Sequence, residues 1–181
     1  MRTLVVWLLV GCSTATLLSC WADEPADKGV PASPTVPAPT SVVEARARAM
    51  LLHESLRGTL QVVHRDFFDE ENAHAIPSAS LEDVFAALAD GYGVELKWLN
   101  VETDVVNVEH QPADDFEKAA VVALKQGKPH YEAVEADRYR FAGPIRLASQ
   151  CLKCHVQHRN NTDARTAGLL IAMPIMQPAA P

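Results

Sequence analysis

The feature that most constrains this chain is a one-sided apolar stripe. From Ser41 to about Asp69, the residues Ala45, Ala49, Leu52, Leu56, Leu60, Val63 and Phe67 recur at steps of three and four. That spacing traces a single helix face. Ser41, with Glu44 three positions later, supplies a start signal, because a serine hydroxyl can accept from an orphan amide of the first turn. A helix of this length with one apolar face requires a surface to lie on, since tertiary packing rather than propensity holds most helices. Gly58 falls mid-helix and weakens the expectation that it is straight.

The rest of the chain offers that surface. Beyond the break at Ile76-Pro77, Ser80 with Asp83 opens a second helix running to about Asp90, which Gly91 and Gly93 end. Val94 to Val101 alternates with period two and reads as a strand. Asn107 to Asp115 reads as a loop, Phe116 to Gln126 as a third helix stopped by Gly127, and Tyr139 to Leu147 as a second strand. Ala167 to Ile175 is an apolar run suited to a buried closing strand. Helices first, then strands with a helix between them, predict an α+β domain over 41–176 with an antiparallel sheet. Residues 177–181 form a tail.

Residues 1–22 read as an export signal: Met1-Arg2, then a short apolar run from Thr3 to Gly11, then small residues. The run is too short to span a bilayer stably. Two processing schemes fit. Leu17-Leu18-Ser19-Cys20 resembles a lipobox that would leave a lipidated Cys20, whereas cleavage after Ala22 would release a soluble protein starting at Asp23; Leu9-Val10-Gly11-Cys12 resembles a lipobox too, with a shorter signal than usual. Residues 23–40 turn to Pro, Ala, Ser and charge, a composition that favours extended polyproline II and serves as a linker or tail. The expected location is periplasmic or otherwise extracytoplasmic, with membrane attachment under the lipoprotein scheme.

Charge excludes one class of partner. Twenty-three acids against sixteen bases give a formal net charge of -7, and no basic stripe exists to hold a nucleic acid. Chemistry concentrates instead in Cys151-Leu152-Lys153-Cys154-His155. C-x-x-C-H is the attachment signature of c-type haem: each thiol adds to a vinyl group to form a thioether, and the adjacent histidine binds the iron. Export agrees with it, and so does the absence of other thiols once Cys12 and Cys20 are removed or capped. A redox dithiol and a zinc site on Cys151, Cys154, His155 and His158 are the rival readings. One motif means one haem c.

Three stretches carry a resemblance: the long first helix, Val106 to Glu117 (VNVEHQPADDFE), and Tyr139 to His155 (YRFAGPIRLASQCLKCH). From about Ala45 to Ile175 the chain resembles a bacterial family of single-haem c-type domains, long catalogued as a domain of unknown function, found as secreted stand-alone proteins and as extracytoplasmic input domains of sensor kinases. The sequence departs from the family at the loop, which keeps Asn107 and Pro112 without an Asn-Pro-x-Asn run, and at Val156, where the family often has Gly. The resemblance implies a PAS-like sheet, a C-terminal haem site, and a role in electron transfer or redox sensing without catalysis. A gas or ligand sensor with an open or displaceable sixth position, or a weak peroxidase, is the alternative. Any redox or signalling partner is unidentified.

The second axial ligand is sought on the first helix. His53 and His64 both lie on or beside the apolar stripe, yet eleven residues at 1.5 Å separate them by roughly 16 Å along a continuous helix, so one iron cannot take both. His64, among Val62, Val63, Phe67 and Phe68, is the favoured distal ligand; His53 is the alternative, with His74, Met173 or water behind it. Arg140 and Arg146, shortly before the motif, suit haem propionates. Trp98, Met173, Tyr131 and Tyr139 read as packing residues, His110 and His130 as solvated, and Asp114, Asp115 and Glu117 as a charge cluster at a helix start.

Overall fold

A computed structural model of the protein describes residues 36–69 and 76–176. The expectations for the signal segment, most of the linker, His74 and the tail lie outside the described residues. No helix among the described residues is long and apolar enough to cross a membrane.

Helix α1 spans Val42–Phe67 without interruption, Gly58 included. Ser41 caps it, its Oγ accepting from the Glu44 amide at 3.2 Å, while the Glu44 carboxylate reaches back to the Thr40 amide at 2.8 Å. Ser41 is thus the cap the sequence pattern indicates, and the reciprocal bond of Glu44 goes to Thr40 rather than to Ser41. Pro39 is buried and its carbonyl accepts from the Met176 amide at 2.9 Å, so the end of the expected linker is part of the domain.

Helix α2 spans Pro77–Tyr92, longer at its start than the Ser80–Asp83 signal implied. Pro77 occupies the first turn, where its missing N–H needs no partner. The Ser80 hydroxyl instead back-bonds to the Ile76 carbonyl at 3.3 Å. Gly93 ends α2 in the left-handed region, φ 65°, which glycine alone adopts freely. Strand β1 follows at Glu95–Leu99, then helix α3 at Asp115–Lys125, capped by Asp114. Strands β2 (Tyr131–Glu135) and β3 (Arg138–Leu147) form a hairpin, a one-turn helix α4 covers Leu152–His155, and β4 (Arg165–Pro174) closes the chain.

The domain is α+β, with one antiparallel sheet in the order β1-β4-β3-β2. The last strand lies between the first and the third, so the C-terminal apolar run becomes central, as its composition requires. Strand β2 was absent from the sequence reading. It is an edge strand with Val134 and Glu135 exposed, and its turn to β3 places Ala136 at φ 53°, where Gly or Asn would have announced a hairpin.

Side chains alternate across the sheet. Tyr139, Phe141, Ile145, Leu147, Leu169, Ile171 and Met173 pack under α1 and α2 in the larger core, with Leu152 of α4. Ala142, Leu99 and Leu170 meet Phe116, Ala120 and Leu124 of α3 on the opposite face. Met173 and Trp98 are core residues, as their patterns indicated; the Trp98 indole donates to the Ser78 carbonyl at 3.1 Å.

Candidate haem site

The C-x-x-C-H segment leaves the end of β3 through a 3-10 turn at Ser149–Cys151 and forms α4 at once. Leu152 is fully buried and fixes this turn to the α1 face of the sheet, with Cys151 and Val156 packed beside it. Both thiols are free; Cys151 is half-buried and Cys154 exposed. Burial pushes the His155 imidazole below its ordinary pKa, and the neighbouring His64 adds to the effect. A lowered pKa keeps the ring neutral, which is the form that binds iron. His155 and His64 are thus near enough for charge on one to oppose charge on the other.

The two helix histidines have different surroundings. His53 is buried, edge-on to Phe141 with ring centroids 5.8 Å apart. A Cβ on Gly143 would lie 2.4 Å from its ring, so glycine is what lets α1 approach β3 here. The Nε2 of His53 has no hydrogen-bond partner, and burial pushes its pKa down. His64 is half-buried and tilts against Phe68, centroids 4.6 Å apart. Leu60 packs against the core, but beyond it the helix end is open: Val62 is 45% and Phe67 78% exposed.

These residues fit a haem. Two free thiols and a neutral imidazole occupy one short turn, a second imidazole stands near, and the adjoining helix end presents apolar side chains that the sheet does not cover. Among the described residues no three His, Cys, Asp or Glu side chains stand together as a metal-binding group.

Other expectations are corrected. Arg140 does not turn toward the motif. It projects to the α3 face, where its guanidinium lies 4.2 Å over the Phe116 ring and pairs with Asp114 at 2.8 Å and Glu135 at 3.0 Å. Arg146 shares the even-numbered register of β3 and is exposed. The strand's two-residue period sends both arginines away from the face that carries Leu152. Nor are His110 and His130 simply solvated. His110 Nε2 sits 3.1 Å from Glu82, and the His130 ring stacks on Phe141 at 5.4 Å. Asp114 is the α3 cap, and Glu117 is buried against Lys97 at 2.7 Å, so this charge cluster is structural. A groove of about 560 Å³ on this face is lined by charged side chains that pair with one another.

Two residues near the motif escaped the sequence reading. The Asp104 amide donates to the His155 carbonyl at 2.8 Å, and its Oδ2 accepts from the Gln157 amide at 2.6 Å. Arg159 Nη1 donates to the carbonyls of Leu152 and Val156, each at 3.0 Å. Arg159 was findable: a basic residue just beyond a helical turn is a C-terminal signal. Asp104 had none, because its contact spans the chain.

A family model for Tll0287-like domains matches residues 40–169. The chain belongs to the Tll0287-like family. No curated protein matches it. Its fold is similar to the crystal structure of the cyanobacterial heme-protein Tll0287, with a TM-score of 0.51 and 14% identity, covering 77% of this chain and 100% of that one. At that identity the likeness establishes the fold. The long N-terminal helix and antiparallel sheet are those expected from the resemblance.

Proposed function

We propose that the protein is an exported cytochrome whose single haem c is joined through Cys151 and Cys154 to a PAS-like domain, and that it works in electron transfer or redox sensing rather than as an enzyme. The observation that carries this reading is the pairing of one short C-L-K-C-H turn with the uncovered apolar end of α1 that holds His64. Bound haem supplies a one-electron iron couple. The protein's part is to hold and tune it. Cys151 and Cys154 would attach it, neutral His155 and His64 would each offer a lone pair to the iron, and Leu60, Val63 and Phe67 would keep water from the site and lower its dielectric. Two protein ligands leave no site for an external one, which favours electron transfer over gas binding. The reading includes an extracytoplasmic location, a lipid anchor at Cys20 if the lipobox is used, and an exchange partner that is itself a redox or signalling protein.

The ferrous absorption spectrum with and without CO tests it. Two protein ligands predict a low-spin spectrum that CO alters slowly or incompletely. Immediate, complete CO binding would transfer the protein to the ligand-sensor class.

A further inference from the structure

We infer that Asp104 and Arg159 are positioning residues for His155, forming an external clamp on the turn that carries it. The inference rests on the haem reading for its consequence at iron, and on geometry alone for the clamp.

Helix α4 has four residues. A single turn does not hold itself, because nucleation fixes several dihedrals for one hydrogen bond, and its carbonyls have no following turn to satisfy them. Here the Val156 amide closes the turn on the Leu152 carbonyl at 3.0 Å, and partners from outside the turn take the Leu152, His155 and Val156 carbonyls. Arg159 Nη1 bridges the Leu152 and Val156 carbonyls. The Asp104 amide takes the His155 carbonyl, and the Asp104 carboxylate takes the Gln157 amide. Asp104 therefore grips the main chain on both sides of Val156, using its backbone on one side and its side chain on the other. The backbone of the proximal histidine is held by a residue far away in sequence.

The clamp is itself anchored. Two positions before Asp104, the Glu102 amide donates to the Thr166 carbonyl at 2.9 Å, and the Thr166 amide returns a bond to the Glu102 carboxylate at 3.0 Å. Thr166 lies at the start of β4, the strand in the interior of the sheet. The rigid sheet thus holds the 101–104 segment, and that segment holds the turn. Bonds involving a charged partner, as Arg159 and Asp104 both make, are the stronger kind. Ligands are positioned by such outer contacts, and losing them shifts the metal's properties without removing the ligand.

The test uses protein as purified, comparing wild type with Asp104→Ala, Asp104→Asn and Arg159→Ala. Amide hydrogen exchange reads the clamp directly. Asp104→Ala should speed exchange at the Gln157 amide by roughly five- to tenfold, the factor one ordinary hydrogen bond supplies, while exchange in α3 stays unchanged. Asp104→Asn keeps an acceptor oxygen and should restore most of the protection. Ferric EPR and the midpoint potential read the consequence at His155: both should shift in Asp104→Ala and Arg159→Ala and return toward wild type in Asp104→Asn. Unchanged exchange at 155–157 in both alanine variants would overturn the clamp. Changed exchange with unchanged EPR and potential would overturn the positioning role. Protein lacking covalent haem would refute the haem reading, and the exchange arm would still decide the clamp.

Discussion

The two halves of α1 have the same sequence pattern and opposite fates. In the first half Ala45 and Ala49 are fully buried, with His53 and Leu56 close behind, all against the sheet. In the second, Leu60, Val63 and His64 are only half-buried and Phe67 stands 78% exposed. The apolar spacing does not change at the midpoint. What changes is the partner: strands β3 and β4 cover the first half, whereas the far end of the second is left exposed, with His64 close enough to His155 to oppose its charge. An apolar face that polypeptide leaves uncovered marks a binding surface, and here it lies on the side that carries His155. The first half of the helix builds the fold, and the second half, on the proposed reading, completes the site.

The largest effect that can break this comparison is at the second half. His64→Ala should turn a low-spin ferric spectrum into a high-spin or exchangeable one, while His53→Ala should leave it low-spin. The reverse pattern would move the iron to the first half, and no change in either would remove α1 from the iron.

Next in size are the stability effects, which should follow the opposite polarity. Leu56→Ala, in the buried half, should cost about 2–5 kcal/mol of unfolding free energy by chemical denaturation. Phe67→Ala in protein prepared without haem should stay within about 0.5 kcal/mol of its parent. Equal losses would show that protein, not cofactor, covers the helix end.

A smaller effect appears with pH. Burial holds the His53 pKa below its ordinary value near 6.5. The unfolded chain therefore binds a proton at His53 before the folded one does, so this contribution to stability is complete above about pH 6.5 and is lost as pH falls below it toward the folded value. His53→Leu should flatten that part of the stability profile in a pH series of unfolding curves. An unchanged slope would show that His53 is not kept neutral by the fold. A further small effect belongs to Gly58, at the boundary of the two halves. A Cβ there meets nothing within 4 Å, so Gly58→Ala should add about 0.5–1 kcal/mol, read as a raised melting temperature.

Much of this was legible in sequence because it rests on local rules. The apolar period and Ser41 located α1, alternation found β1 and β3, and the Cys-x-x-Cys-His spacing nominated the candidate site without any fold. What stayed hidden depends on tertiary placement. Strand β2 alternates, Tyr131 and Ala133 toward α3 and Glu132 toward Arg46, but it is a short, partly exposed edge and Ala136 hides its turn. Arg140 looked available to the motif by proximity in sequence, but strand alternation sends it to the far face and Asp114, Glu117 and Glu135 occupy it. Asp104 reaches His155 only because β4 brings two distant loops together. Equally, nothing in the helical period could reveal that its full burial stops after Leu56.

The central claim, that Cys151 and Cys154 carry one haem covalently, is tested most directly by the intact mass of the mature protein after acid and acetone extraction. The account predicts that one haem remains on the polypeptide and maps to the peptide containing Cys151–His155. Two unmodified thiols at these positions, with no haem retained in protein made alongside c-type maturation, would contradict it.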